Sequence, residues 1–470
     1  MNYSIRSPFR TQVTVQRLLN EPGLPLAHYL PAEQIHDACR AAGHVFRKRI
    51  FNPAVTLWMF LIQVLDPDHS CRKALARFLA YRTALGLHPC SANDGAYCRA
   101  RRRLPEKAIC QLTRRTGQAL AEATPHGWLW KGRTIKIVDG TGLSMPDTPK
   151  NRRAYPVKKG TTFPVLRLVV IFNWAVGTVL DAALGPCCGP GSGELSLLRG
   201  LGAVFQRGDV WLGDRLYSSY WVVAQAVAAG ADIVMRLNGS RKSEWKHAAY
   251  HSKGSKKTWW CKPPRPAWMK RRDYQSLPAG LSLRLVRVQV RQRGFRSRQV
   301  LVITTLQDGQ EYPADDLAEL YRRRWQAELD LRSLKETLQM DILRGKTPVI
   351  VRKEVWAHLL AYNLVRLVMA EAANHARLRP DELSFAGAWQ TLHAYAPYLR
   401  TVENEEQAQR LWDGMIEAVA CHRVGKRPNR VEPRQIKRHR HKNYTIFKTT
   451  RAQARRRSQQ RHPTPKRKAS

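Results

Sequence analysis

The chain has 470 residues, and 80 Lys and Arg stand against 36 Asp and Glu, a formal net charge of +44. With 43% hydrophobic residues, 14 Trp, 15 Tyr and 11 Phe, it is neither a wholly disordered chain nor a collagen, a mucin or a disulfide miniprotein. A foldable core under so large a positive excess predicts a globular protein with a polyanionic partner.

Residues 1–130 carry 18 basic and 8 acidic residues. Apolar residues recur at helical spacing in VTLWMFLIQVL and CRKALARFLAYRTALGL, and GAYCRARRRLPEKAICQL places Arg99, Arg101, Arg102 and Arg103 at the start of a further helix. This predicts an all-α basic module, either a DNA reader or a plain bundle with a charged face. The nine cysteines (Cys39, Cys71, Cys90, Cys98, Cys110, Cys187, Cys188, Cys261 and Cys421) are odd in number and contain no C-x-x-C. They read as a reducing compartment with neither a zinc knuckle nor a disulfide framework.

From Thr134 the pattern becomes strand-like. TIKIVDG ends on Asp139, LRLVVIFN and TVLDAALGP follow, GELSLLRGLGAVF reads as a helix, VWLGDRLY ends near Asp214, and YWVVAQAVAAG and DIVMRLN read as helix and strand. This order describes a mixed α/β sheet with helices on its faces. The apolar stretch from Val165 is interrupted by Arg167, Asn173, Gly177 and Asp181, so it predicts two strands around a turn and no membrane span. The opening MNYSIRSPFRTQV lacks the apolar core of a secretion signal, and a cytoplasmic protein is expected. Residues 239–310 hold Trp245, Tyr250, Trp259, Trp260, Trp268 and Tyr274 among basic residues and then two strand patterns, a β-rich insertion. Helical patterns resume over 311–421, and 422–470, with 18 basic and one acidic residue, reads as a mobile basic tail.

Three acidic residues carry the candidate chemistry. Asp139 and Asp214 fall at strand ends and Glu328 within a helix, and convergent carboxylates suit Mg²⁺ or Mn²⁺. Taken singly, an Asp after a strand is more often a turn or a cap. On an ideal helix Tyr321, Arg324, Glu328 and Lys335 fall within an arc of about 60°. A phenol, a guanidinium, a carboxylate and an ammonium then share one face, although Arg324 and Glu328 also form an ordinary i,i+4 pair. Glu194 is weighed as a fourth carboxylate against a residue of a helix N-terminal turn. GPGSG at 189–193 lacks the Lys-Ser/Thr of a P-loop, so ATP use is not expected.

Tyr321-x2-Arg324-x3-Glu328-x6-Lys335 resembles the Y-(2)-R-(3)-E-(6)-K signature of the IS4-family DDE transposases of bacterial insertion sequences, at all four positions and all three spacings. IVDGTGLSMPD resembles the first-Asp motif of that family and GDRLYSSYW the second, with Leu216 where the family commonly has Gly. The resemblance runs from about Ala96 to Val368. It implies an RNase H-like mixed-sheet catalytic core (131–238 and 311–421) interrupted by the β-strand insertion, with a helical N-terminal DNA-binding domain and the basic tail.

It also implies that Asp139, Asp214 and Glu328 are catalytic and hold Mg²⁺, with Mn²⁺ able to substitute. Tyr321, Arg324 and Lys335 would hold the DNA backbone at the terminal repeats. Arg236 resembles a basic position of the family, either a phosphate contact or a structural ion pair. An insertion aromatic would stack a flipped base, with Trp259, Trp260, Trp268 and Phe295 as candidates, or these aromatics form a small core of their own. The expected activity is cut-and-paste DNA transposition on transposon ends and target DNA, with a homodimer in the synaptic complex. The rivals are an RNase H-like metal-dependent nuclease and a non-catalytic DNA-binding protein derived from a transposase.

Overall fold

A computed structural model of the chain describes residues 26–47, 49–157, 162–201, 204–238, 255–289 and 299–425, with Gln453, Arg456, Arg457 and Gln460. Trp245, Tyr250, Phe295 and nearly all of the basic tail therefore lie outside the described residues.

Five helices lead the chain: α1 (Ala32–Ala41), α2 (Pro53–Leu65), α3 (Cys71–Ala84), α4 (Gly95–Arg103) and α5 (Glu106–Glu122). In α2 the Asn52 side chain accepts from Val55 N at 2.9 Å and Pro53 opens the first turn, both standard helix starts. Every α2 residue except Val55 is buried, as a helix that is apolar all round requires. The helical stretch is keyed into the remainder of the molecule through α5. A Cβ on Gly117 would sit 2.0 Å from the Val179 carbonyl oxygen, so only glycine lets α5 approach that strand. Asn363 of the long helix α12 (Pro348–His375) donates to Thr113 O at 3.0 Å and Val179 O at 2.9 Å, tying three elements together.

The sheet comprises β1 (Ile135–Ser144), β2 (Val165–Asn173), β3 (Val179–Pro186), β4 (Val210–Gly213), β5 (Asp232–Arg236), β6 (Ser255–Cys261), β7 (Gly280–Gln289) and β8 (Gln299–Thr304). The spatial order is β3-β2-β1-β4-β5-β8-β7-β6. β1, β2 and β3 pair antiparallel, and β1–β4 and β4–β5 pair parallel. This is the mixed core that the sequence predicts, with α7 (Glu194–Arg199) and α8 (Tyr220–Ala228) in the expected places and two short helices besides, α6 (Pro149–Ala154) after β1 and α9 (Arg271–Gln275) after β6. The Val165 stretch is two strands around a turn, and among the described residues no helix is long and apolar enough to cross a membrane.

The strands β6, β7 and β8 extend this sheet. β8 pairs antiparallel with β5 through Val234, Met235 and Arg236 opposite Thr304, Ile303 and Val302, and β7 and β6 follow outward. Trp260 is buried against Tyr220 of α8, ring centroids 5.5 Å apart, so its burial joins insertion to core.

Strand alternation sorts the core into two layers. Ile135, Ile137, Val210, Leu212 and Val234 face one cluster with α5 and with α10 (Ala314–Arg323), α11 (Trp325–Arg332), α12, α13 (Phe385–Tyr395) and α14 (Glu405–Cys421). Val138, Trp211, Ile233 and Met235 face the other, with α7 and α8.

Within α12, Glu354 and His358 are both buried one turn apart. Glu354 accepts from Arg344 N and Gly345 N, each at 2.8 Å, fixing the chain just before α12. Burial pushes the Glu354 carboxyl up to about 7 and the His358 imidazole down to about 3. The two act on stability with opposite signs. Between pH 7 and 5 the unfolded chain takes up a proton at His358 that the fold refuses, which costs about 2 kcal/mol, while Glu354 gains its proton more readily in the fold. His358→Gln should remove only the first effect. Its urea-unfolding stability, taken from pH 7 to pH 5, should change more favourably than that of the wild type by about 2 kcal/mol. Parallel pH profiles would show that His358 is not held neutral.

Candidate active site

The register of β1 and β4 positions the first two carboxylates. Ile135, Lys136 and Ile137 pair with Val210, Trp211 and Leu212, and two further residues along each chain stand Asp139 and Asp214. Residues two apart share a face, so both acids project on the side of Ile137 and Leu212, from neighbours spaced about 4.8 Å apart. β1 continues to Ser144 against β2, so Asp139 lies two residues past the last β1–β4 pair and not, as the sequence suggests, at the end of its strand.

Asp214 opens a turn. Its Oδ1 accepts from Leu216 N at 2.7 Å, and its carbonyl accepts from Tyr217 N at 3.2 Å. Leu216 is not among the residues of positive φ, so this turn works without the family's usual glycine.

Glu328 comes from α11, which covers the same face. The single long helix of the sequence expectation is broken twice. At Arg324 the ladder tightens to i→i−3 bonds, Arg324 N to Tyr321 O and Ala327 N to Arg324 O, both 3.1 Å. At Ser333–Thr337 it widens into a π turn, closed by Leu338 N to Ser333 O at 3.0 Å. Uniform 100° steps thus do not run unbroken from Tyr321 to Lys335, and Lys335 lies on the π turn.

The orientation of α11 is set from behind. Asp330 forms a buried pair with Arg366 of α12 at 3.9 Å and takes a further bond from Gln326 at 3.3 Å. Arg366 Nε in turn donates to Val176 O at 2.8 Å, on the β2–β3 turn. With Asp330 held there, Glu328 is left to the sheet face.

Arg324 Nη2 donates to Glu328 Oε1 at 2.7 Å. Burial pushes the Asp139 carboxyl up to about 6, against a bond from Gly140 N and the Arg324 charge, while Glu328 and Asp214 push it further. Burial also raises the Tyr321 phenol, opposed by Arg324 and Arg236 and aided by Asp214. Burial works against the charged form of Arg324, but Tyr321, Glu328 and Asp139 outweigh it and its pKa is raised. Asp139, Asp214, Glu328, Tyr321, Arg324 and Arg236 therefore lie within one another's electrostatic reach. Lys335 is half-buried and makes no ion pair among the described residues.

The ligating oxygens of the three carboxylates do not all approach within 4.8 Å; among the described residues only Cys71, Asp94 and Cys98 meet that spacing. Three anions repel, and Glu328 has turned to Arg324. Carboxylate oxygens without thiol or imidazole, carrying more negative charge than Arg324 offsets, suit an oxygen-preferring divalent cation.

Glu194 belongs to the opposite face. A Cβ on Gly140 would lie 2.6 Å from its carboxyl carbon, and Tyr217 OH donates to its Oε2 at 3.0 Å, so it supports β1 from below in the first turn of α7. Of the aromatics, Trp260 is buried, Trp259 packs on Gly280, and Trp268 lies under the Arg199 guanidinium at 3.7 Å. Trp325, half-exposed three residues before Glu328, is an aromatic beside the site that the sequence reading passed over.

Antiparallel β1–β3 continued by parallel β4 and β5, with acids on adjacent strands and on a helix over the same face, is the RNase H-like arrangement of polynucleotidyl transferases. Residues 130–364 match the family described as "Transposase DDE domain", a span that contains every residue of the cluster. Over 381 residues the chain is 28% identical to transposase InsG for insertion sequence element IS4 of Escherichia coli K12, covering 78% of this chain and 81% of that one. It is 42% identical over 66 residues to the Escherichia coli transposase for insertion sequence element IS421, covering 14% and 18%. A cryo-EM structure of the piggyBac transposase synaptic complex with hairpin DNA aligns over 86% of each chain with a TM-score of 0.43 at 10% identity. The chain belongs to the IS4 family of DDE transposases. It is a DNA transposase, an enzyme that acts on DNA and uses divalent metal.

Asp330→Ala leaves the Arg366 charge buried without its partner and should cost about 3–5 kcal/mol in urea unfolding. Glu328→Gln should stay within about 0.5 kcal/mol of the wild type. A loss below about 1 kcal/mol for Asp330→Ala would mean that this pair does not hold α11.

Proposed function

We propose that this transposase moves its element by cut-and-paste, with Asp139, Asp214 and Glu328 holding two Mg²⁺ ions, for which Mn²⁺ can substitute. The observation that carries the reading is the shared face of Asp139 and Asp214, two residues past one register pair, under the helix that bears Glu328. Metal bound there supplies activation of the attacking oxygen and charge stabilisation at the leaving one. The chain's own groups bind and orient the substrate. Tyr321, Arg324 and Arg236 border the carboxylates and would grip phosphates of the transposon end, Arg324 exchanging Glu328 for DNA. Lys335 would reach a phosphate further along the backbone. Water attacks the phosphodiester at the element's end and releases a 3′-OH, which then attacks a target phosphodiester.

The basic helices within 1–130 would recognise the terminal inverted repeats, the strands of 239–310 would border the DNA, and 422–470 would add nonspecific grip. Two copies would bring two ends together as a homodimer in the synaptic complex, in the bacterial cytoplasm on the nucleoid.

Asp139→Asn, Asp214→Asn and Glu328→Gln should each abolish strand cleavage of a terminal-repeat duplex in Mg²⁺ while the gel-shift affinity stays within a few-fold of wild type. Wild-type cleavage by any one of them removes that residue from the site. Lys335→Ala should retain cleavage chemistry but weaken end binding, with the slope of log affinity against log salt reduced by about 1. An unchanged slope would exclude a phosphate contact.

A further inference from the structure

Away from the carboxylates, the fold assembles a second set of ligating groups that sequence spacing conceals. Cys71 is the first residue of α3, Asp94 stands at the N-terminal boundary of α4, and Cys98 lies one turn into α4. Their ligating atoms all lie within 4.8 Å of one another, and all three residues are half-buried.

Asp94 occupies the position where an aspartate ordinarily caps a helix, yet its carboxylate makes no capping bond. Gly95 N donates instead to Asn93 Oδ1 at 2.8 Å. The Asp94 carboxylate faces the Cys98 thiol, whose proton is held by burial and by the neighbouring Cys71 and Asp94 against the pull of Arg101. Arg101 is fixed beside the cluster: its guanidinium packs 5.0 Å from the Phe60 ring centre and 5.6 Å from that of Tyr97, and it donates to Gln63 Oε1 at 2.8 Å. Two thiolates and a carboxylate sum to −3, so one divalent ion leaves −1, which Arg101 offsets.

The geometry points to a Zn²⁺ site formed by Cys71 Sγ, Cys98 Sγ and an Asp94 carboxylate oxygen, with water as the fourth ligand. Two sulfurs with an oxygen suit zinc better than the hard cation of the carboxylate site. Binding forms two Zn–S bonds and one Zn–O bond and releases the two thiol protons to solvent. The ion would clamp the start of α3 to the start of α4, the helix that carries the exposed Arg99, Arg102 and Arg103. The link to DNA rests on the proposed reading of these helices; metal binding does not.

The test uses the full chain, stripped with chelator and titrated with Co²⁺ as a spectroscopic substitute. One equivalent should produce the thiolate-to-cobalt charge-transfer band and be displaced by Zn²⁺. The band should persist in Asp139→Asn and vanish in Cys71→Ser and Cys98→Ser. In the wild-type chain, Zn²⁺ should protect Cys71 and Cys98, but not the exposed Cys261 and Cys421, from alkylation read by mass spectrometry. Equal alkylation of Cys71 and Cys98 with and without Zn²⁺, or a band that survives both serine variants, overturns the site. Loss of cleavage in Asp139→Asn with the band intact would separate this metal from the catalytic one.

Discussion

Three parallel residue pairs between β1 and β4 determine where Asp139 and Asp214 stand in this protein. Ile137 opposite Leu212 fixes the register, and a slip of one residue would put one aspartate on the α7–α8 face and leave the other opposite α11. The apolar alternation that holds this register also buries the two faces. Ile135, Ile137, Val210 and Leu212 are needed beneath α10–α12, and Val138 and Trp211 beneath α7 and α8. Core packing and carboxylate placement are thus one constraint seen from two sides. Gly140 shows how closely it is drawn, because Glu194 fills the space that any side chain there would take.

Charge governs what the placed groups do. The helix bearing Glu328 is held from its far side by Asp330 and Arg366, two charges that are almost wholly buried. On its near side the acids repel one another, and Arg324 draws Glu328 aside. A protein with 80 basic residues thus keeps its carboxylates as a negative island beside Tyr321, Arg324 and Arg236. That combination suits a substrate that is itself an anion and arrives with its counter-cations. The rest of the net charge of +44 is spread along the chain, on the helical 1–130 stretch, the core and the last 49 residues.

Much of this was legible in the sequence because it depends on local periodicity. The order β1-β2-β3-α7-β4-α8-β5 follows from runs of apolar residues between turn residues, whereas the short α6 between β1 and β2 has no such run. What was not legible depends on partners distant in sequence. The ladder tightens at Arg324 and opens at Ser333–Thr337, features that a uniform helical step cannot express. The strands β6, β7 and β8 join the core sheet because β8 finds the open edge of β5, a pairing between residues about seventy apart in the chain. The face of Glu194 is decided by strand parity against Gly140, and Cys71 meets Cys98 only once α3 and α4 pack together.

The proposed divalent-metal site, built by the β1–β4 register from Asp139 and Asp214 under Glu328, is open to direct observation. Crystals of the chain with transposon-end DNA and Mn²⁺, measured at the manganese absorption edge, test it directly. An anomalous peak is expected within bonding distance of carboxylate oxygens of Asp139 and Asp214. Manganese bound only elsewhere, with those two carboxylates left to protein and solvent partners, would contradict it.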